Sequence, residues 1–546
     1  MQDPKQIKSE EKNMFLAFVL IAVVLMVFQF FNRPQQSVTE TVVESEASVE
    51  EKQPLTPTLP VQVAIPKKEM KTFPIHNEFV VGQMDADGLS IRNWILTQYK
   101  ETLSENSPKV QLLSDDYGVD VYWTVAGQKI PLILQSGTEL TPNTPLIFEA
   151  KSRDLALTRT ISLDDHYMLT ITDTIGNRSN QPLSAELTGK IYRSATTVLN
   201  ERSVVHTGFV ELANDRLQEN NYSKIEKETI SYQTKNTWMG ITDKYWQTVL
   251  IPQADEQVQL INTLNEGVYQ ATFKTNPLTL ASGQSITRVT RMFAGAKNLN
   301  LINDYMTLYN IPKFDLTIDF GWFYFLTKPF LYFLQWLYAL VGNMGIAILL
   351  FATLLRLLLL PVATKSYVSM AQMKKIQPQI KSLQERYKND RIRLQQEMMA
   401  LYKREKINPA GGCLPMLIQI PVFFALYKVL SVSIQMRQAP FFGWIQDLSA
   451  PDPSSVFTLF GLVPWPIPSF LNLGVMPVLM GLTMYIQQRL TPQPATTDKA
   501  QANMFKFMPI IFTFMMGQFA VGLIIYWTWS NILSIIQQRY IMKKVK

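Results

Sequence analysis

The strongest constraint on this chain is a series of long apolar runs that begins after residue 340. Asn343 to Val362 carries one charge, Arg356, in about 20 residues, enough to cross a hydrocarbon core of roughly 30 Å. Inside lipid the backbone has no water to bond, so a lone apolar run satisfies its amides only as a helix.

The charges around the runs orient them. Lys5, Lys8 and Lys12 precede Met14 to Phe31, and Glu40, Glu44, Glu46, Glu50 and Glu51 follow it. Positive charge is retained in the cytoplasm, so residues 1–13 are expected inside, with 14–31 as a first transmembrane span. The alternative, a cleaved signal peptide, is disfavoured because Asn32-Arg33-Pro34 is not a small-residue cleavage site. Residues 32–60, rich in Gln, Ser, Thr, Glu and Pro, read as a flexible periplasmic tether. Farther on, the expected organisation is an interfacial amphipathic helix at 320–340, crowded with Phe, Tyr and Trp, and a second span at 343–362. A basic cytoplasmic helical hairpin follows at 363–412, then a third span at 413–433, a periplasmic loop at 434–471 and a fourth span at 472–489. A cytoplasmic loop at 490–503, a fifth span at 505–520, a sixth at 522–540 and a tail at 541–546 complete the chain. This arrangement puts both termini in the cytoplasm of a multi-pass inner-membrane protein.

Between the first two spans the pattern differs. Leu89 to Trp94, Val119 to Trp123, Tyr167 to Thr172 and Tyr269 to Phe273 each fit a half-buried strand, and Asp85-Ala86-Asp87-Gly88 and Ile175-Gly176-Asn177 punctuate them. Residues 61–319 are therefore expected to form a large periplasmic antiparallel β-sandwich, closed by a helix near Asn298 to Tyr309. The chain has one cysteine, Cys413, so no internal disulfide can brace this domain. Its three histidines have no metal-ligand spacing, and it contains no P-loop, GxGxxG or HExxH. No catalytic residue, metal or cofactor is expected. The net charge of +7 lies mostly in loops flanking the spans, a pattern of orientation rather than of nucleic-acid binding.

Asn408-Pro409-Ala410-Gly411-Gly412-Cys413-Leu414-Pro415, continuing to Tyr427, resembles the signature of the YidC/Oxa insertase family. So do Gln435-Met436-Arg437-Gln438-Ala439-Pro440-Phe441, Met508-Pro509, and Tyr526, Ser530-Asn531 and Gln537-Gln538. The resemblance covers residues 320–546; the sandwich with its tethered first span is similar to the Gram-negative members. It implies an α-helical membrane bundle, a five-helix insertase core plus one N-terminal span, carrying the β-sandwich outside. The implied activity is insertion of hydrophobic segments from cytoplasm to bilayer, alone or with the Sec translocon, together with assistance in membrane-protein folding and assembly. Implied partners are nascent membrane proteins, the Sec translocon, the ribosome and the lipid bilayer, with no nucleic acid bound except through the ribosome. Two features depart from the family: an apolar, Pro-rich stretch at 457–470 in the outer loop, and a short C-terminal tail.

Arg356 is the most informative residue. A charge at the centre of a membrane helix costs from about 2.5 to over 10 kcal/mol, so it normally faces water or a partner. No acidic residue lies in any core span. Either Arg356 lines a wet cavity, or it snorkels toward the level of Lys365, about 13 Å along a helix. In the family the matching arginine sits in a water-filled groove, which the resemblance extends to Arg356. Gln419, Thr528, Ser530 and Asn531, with Ser534, are candidates for further polar lining; helix–helix hydrogen bonding is the alternative for each. Met416, Ile420, Phe423, Phe424, Met508 and Met515 are candidates for an adaptable apolar slide for substrate, with core packing as the alternative. The hairpin at 363–412 is either a solvated pair of helices or a mobile receiver of substrate that touches ribosome or translocon.

Two other classes compete. The sandwich resembles sugar-mutarotase-like folds, and such chemistry needs a His beside a carboxylate, for which His76 with Glu78 and His166 with Asp164 and Asp165 are the adjacent candidates. A transporter would show inverted repeats or paired intramembrane charges, and neither is present.

Overall fold

The computed structural model describes residues 71–150, 152–198, 205–388, 390–405, 407, 414–458, 463, 473–491 and 499–544. The expected first span at 14–31, the tether at 32–60, most of the Pro-rich stretch at 457–470 and most of the loop at 490–503 lie outside the described residues.

Alternating side chains build the first half. In Leu155–Leu163 nearly every second residue is fully buried, and Leu183–Ser194 repeats the pattern. Such strands need a second apolar face, and they find it in each other. Among the described residues the strands form antiparallel sheets of 11 and 9 strands. The four runs singled out by alternation coincide with the strands Ser90–Lys100, Tyr117–Val125, Met168–Asn177 and Val268–Thr275, the first and third starting one residue early. Gly88 turns the chain at φ +64°, where a Cβ would run into the ring of Phe148.

Polar bonds cross between the sheets as well. Arg159 holds Asp173 through Nε–Oδ1 at 2.7 Å and Nη2–Oδ2 at 2.8 Å, and its Nη1 donates to the carbonyls of Gly88 and Val121. Trp123 Nε1 donates to the same carboxylate at 2.9 Å. Toward the other end of the sandwich, the buried Glu211 accepts from Asn220 and Asn262. Burial pushes its carboxyl up to about 7, against the lowering effect of those two amides.

The sandwich closes with helix α1 (Leu299–Leu308), whose cap Asn298 accepts from the amides of Asn300 and Leu301. The remaining helices are α2 (Tyr324–Val341), α3 (Met344–Leu358), α4 (Leu360–Arg386), α5 (Arg391–Arg404), α6 (Leu414–Val432), α7 (Val475–Leu490), α8 (Lys499–Met516) and α9 (Val521–Lys544). The run read as a single second span, 343–362, is interrupted: α3 and α4 meet at a 66° bend. Pro361 explains the break, because it lacks an amide hydrogen and fits only the first turn of a new helix. Among the described residues no single helix is both long and apolar enough to cross a membrane, but the bent α3–α4 pair meets that criterion together.

Charged contacts join the sandwich to the helices. Lys428 of α6 donates to Asp319 at 2.5 Å, and the amide of His206 reaches the same carboxylate at 2.8 Å. Burial alone would raise the Asp319 carboxyl, but Lys428 outweighs it and holds the group below the usual carboxylate range. Lys328 of α2 pairs with Asp315 at 2.7 Å. Arg437, just past α6, donates to the carbonyls of Lys100 and Glu101 and lies over the ring of Trp246.

Replacing Arg159 with Ala strands a buried carboxylate and should destabilise the sandwich by about 3–5 kcal/mol, read from the denaturant midpoint of protease resistance in the detergent-solubilised chain. Glu211 has a raised folded pKa, so its contribution to stability is full below pH 4.5 and is lost as pH rises through about 7. The same midpoint should fall across that window, and Glu211→Gln should flatten the slope whatever its effect on absolute stability.

Candidate functional site

The site starts from one residue. Arg356 lies in the last turn of α3, after the apolar stretch Ala347-Ile348-Leu349-Leu350-Phe351. Its guanidinium turns toward α9 and not toward the exposed Leu354 and Leu357 beside it. Nη2 donates to the carbonyl of Ser530 at 3.0 Å, to Ser530 Oγ at 3.3 Å and to Ser534 Oγ. Ser534 in turn donates to the Ser530 carbonyl, so a single turn of α9 supplies every acceptor. Arg356 Nε is buried without a partner. Among the described residues no carboxylate pairs with Arg356; the acceptors are neutral, and the charge remains uncompensated.

The register between α3 and α9 has its own bond. Trp529 Nε1 donates to Thr353 Oγ1 at 2.9 Å, and that hydroxyl donates to the carbonyl of Leu349. One turn before Ser530, Tyr526 is almost fully buried, and Gln419 of α6 donates to its hydroxyl at 3.1 Å. Tyr526, Ser530 and Ser534 are spaced by four and share one face of α9. Arg356, Ser530 and Gln419 are therefore brought to one polar seam between α3, α6 and α9.

The other two polar candidates point elsewhere. Asn531 donates to Thr483 of α7 at 3.0 Å, about 100° around α9 from Ser530. Thr528 bonds back to the Ile524 carbonyl of its own helix. Their spacing from Ser530 separates them: residues two apart do not share a helical face. Helix α7 is held close to α8 at Gly481, where a Cβ would overlap Thr513 Oγ1.

The apolar candidates divide similarly. Phe423 sits edge-on to Trp527 with centroids 4.7 Å apart, and Phe424 stacks near Phe323 at 6.4 Å. Met515 is half-buried against the main core, as is Phe423. Ile420 and Met508 are half-buried, and the side chain of Met416 lies outside the described residues. The exposed surface of α8 instead comes from Phe507, Ile510, Ile511 and Phe514, joined by Leu417 on α6. Spacing of three and four along Phe507, Ile510, Ile511 and Phe514 is a readable signal for one apolar stripe.

Chemically, this arrangement holds a fixed positive charge at the edge of an apolar bundle, with donors to spare and no internal counter-ion. Such a charge is complementary to an anionic or polar group. In the sandwich, His76, Glu78, Asp165 and His166 do come together around an open cleft, where Phe79 stacks on His166 at 4.5 Å. The ring stacking occupies the imidazole face, and the one carboxylate paired with His76 is Glu139, at 4.0 Å.

Comparison with known proteins covers both halves. Residues 336–546 match the family described as 60Kd inner membrane protein, and residues 72–333 match the YidC periplasmic domain. The membrane protein insertase YidC of Brucella suis biovar 1 is 46% identical over 488 residues, covering 85% of this chain and 79% of that protein. That of Rhizobium meliloti is 41% identical over 569 residues, covering 98% and 96%. That of Rickettsia bellii is 41% identical over 554 residues, covering 97% and 98%. With both halves matched in order and identity sustained along nearly the full length, the chain belongs to the YidC family of membrane protein insertases.

Proposed function

We propose that this protein moves hydrophobic segments of nascent proteins from the cytoplasm into the inner membrane, and that Arg356 is the centre of its route. The reading rests above all on a guanidinium held among apolar helices by neutral acceptors alone. The buried Arg159 of the sandwich is given a carboxylate, whereas half-buried Arg356 is not. An uncompensated cation is reserved for a group that comes and goes.

In this reading α2 to α9 supply the membrane core and the sandwich stands in the periplasm. Exposed Leu350 and Leu354 on α3, Leu482 and Ile486 on α7, and Ile510 and Phe514 on α8 face lipid. Helix α2 lies at the outer interface, with Trp322 beside it 99% exposed and Phe325 and Trp336 directed outward. Both termini are cytoplasmic. The basic helices α4 and α5, packed through Ile376, Ile380, Leu401 and Tyr402, face the cytoplasm as the receiving hairpin for ribosome and substrate. The exposed stripe on α8 and Leu417 offer lipid-like contacts to the apolar part of a client, alongside Ile420, Phe423, Phe424, Met508 and Met515. The Sec translocon is the expected partner for longer clients.

The energetics need no fuel. An apolar segment of about 20 residues gains roughly 6–12 kcal/mol on insertion, and moving its polar flank through hydrocarbon opposes this by a comparable amount. The obstacle is a barrier. A polar seam partway across shortens the dry path, Arg356 draws an acidic flank to it, and a membrane potential then adds about 2.3 kcal/mol per charge per 100 mV.

Arg356→Ala should slow insertion of a client with an acidic translocated flank about tenfold or more in proteoliposomes, and Arg356→Lys should restore most of it. Protease protection of the translocated flank reads the result. Normal insertion by Arg356→Ala in a correctly folded chain would remove Arg356 from the route.

A further inference from the structure

The polar seam does not end at Arg356. One turn beyond Ser534 on α9 are two adjacent glutamines. The side-chain nitrogen and oxygen of both Gln537 and Gln538 are buried, and none of the four atoms has a hydrogen-bond partner among the described residues. Gln538 is 1% exposed. One turn farther still, Ile541 closes against Ala363 and Tyr367 of α4. The carboxamides therefore lie between the Arg356 acceptors and an apolar plug where α4 leaves the bend.

Buried amides almost always find partners, because an unmade hydrogen bond in a dry interior is unfavourable in full. A single orphaned atom has many explanations. Four on adjacent residues, three and four positions beyond Ser534 on α9, leave hydrogen-bonding capacity that no described residue takes up, as does Nε of Arg356. Side-chain chemistry then limits what partner fits. A carboxamide presents one acceptor and a two-hydrogen donor with no net charge. That set does not select an anion or a cation. It matches a group that is itself neutral and carries both a donor and an acceptor, as each peptide unit of a main chain does.

We infer that Gln537 and Gln538 form the cytoplasmic end of the client route and bind the main chain of the polar flank, while Arg356 takes its charge. This rests on the insertase reading above. It divides the labour by chemistry: the arginine discriminates flanks by sign, and the glutamines accept any sequence, because every residue brings the same backbone. The consequence is specific. Clients with long uncharged polar flanks depend on the glutamines, and an apolar segment without a flank does not.

Disulfide trapping in the full chain tests the contact directly. In a Cys413→Ser background, single substitutions Ser534→Cys, Gln538→Cys and, on the exposed face of α9, Ile536→Cys are each paired with a ribosome-stalled client bearing one cysteine in a neutral polar flank. The expected result is trapping at positions 534 and 538 at least about fivefold above position 536. Trapping at 538 no greater than at 536 overturns the inference. A second readout uses the pair Gln537→Leu and Gln538→Leu in vesicles of phosphatidylethanolamine and phosphatidylglycerol. Insertion of the neutral-flank client should fall about fivefold while the flankless client inserts as before; equal loss for both overturns the inference. Arg356→Ala inserting acidic-flank clients normally would defeat the Arg356 reading alone, because trapping at 538 is read without insertion.

Discussion

A guanidinium without a counter-ion is the constraint around which the helical half is arranged. Arg356 has to be kept near the edge of an apolar core, so the chain surrounds it with acceptors that carry no charge: the Ser530 carbonyl and the hydroxyls of Ser530 and Ser534. Those acceptors come from one turn of α9, and α9 is fixed against α3 by the bond from Trp529 to Thr353. Bending of the chain at Pro361 places the arginine in the last turn of its helix.

The same residue type serves the opposite purpose in the sandwich. Arg159 is as deeply buried as any group in the protein, and it is fully matched, with a bidentate carboxylate and two carbonyls. A matched ion pair specifies how two sheets meet and then has nothing left to offer. An unmatched cation keeps its donors. The contrast between the two arginines separates a cation used to fix shape from one that keeps hydrogen-bonding capacity free. The junction belongs to the first kind. Lys428 with Asp319 and Lys328 with Asp315 are ion pairs, and with Arg437 on the carbonyls of Lys100 and Glu101 they tie the sandwich to the helices at several points.

Much of the architecture was legible before any coordinates. Period-two burial marked the strands, the run from Asn298 marked the closing helix, and the family signature marked α6, α8 and α9. Arg356 stood out because a charge in an apolar run is costly wherever it sits. The details of its surroundings were less legible. Ser530, Asn531 and Thr528 lie within four positions of one another, and composition treats them alike; rotation of about 100° per residue sends Ser530 to the arginine and Asn531 to Thr483. The apolar candidates on α8 were chosen for Met, yet the exposed stripe runs through Phe507, Ile510, Ile511 and Phe514. Residue softness says what a surface tolerates but not which way it faces.

The linear chain thus dictates those properties that depend on local pattern: where most strands and helices run, and that a lone cation falls in an apolar stretch. Hydrophobic period and backbone hydrogen bonding act over a few residues, so a few residues suffice to read them. Which groups meet across helices was settled by packing. The pairing of Arg356 with Ser534, of Gln419 with Tyr526, and the isolation of Gln537 and Gln538 depend on the rotation and separation of α3, α6 and α9. Those quantities follow from the sum of many weak contacts along whole helices, and no short stretch of the chain contains them.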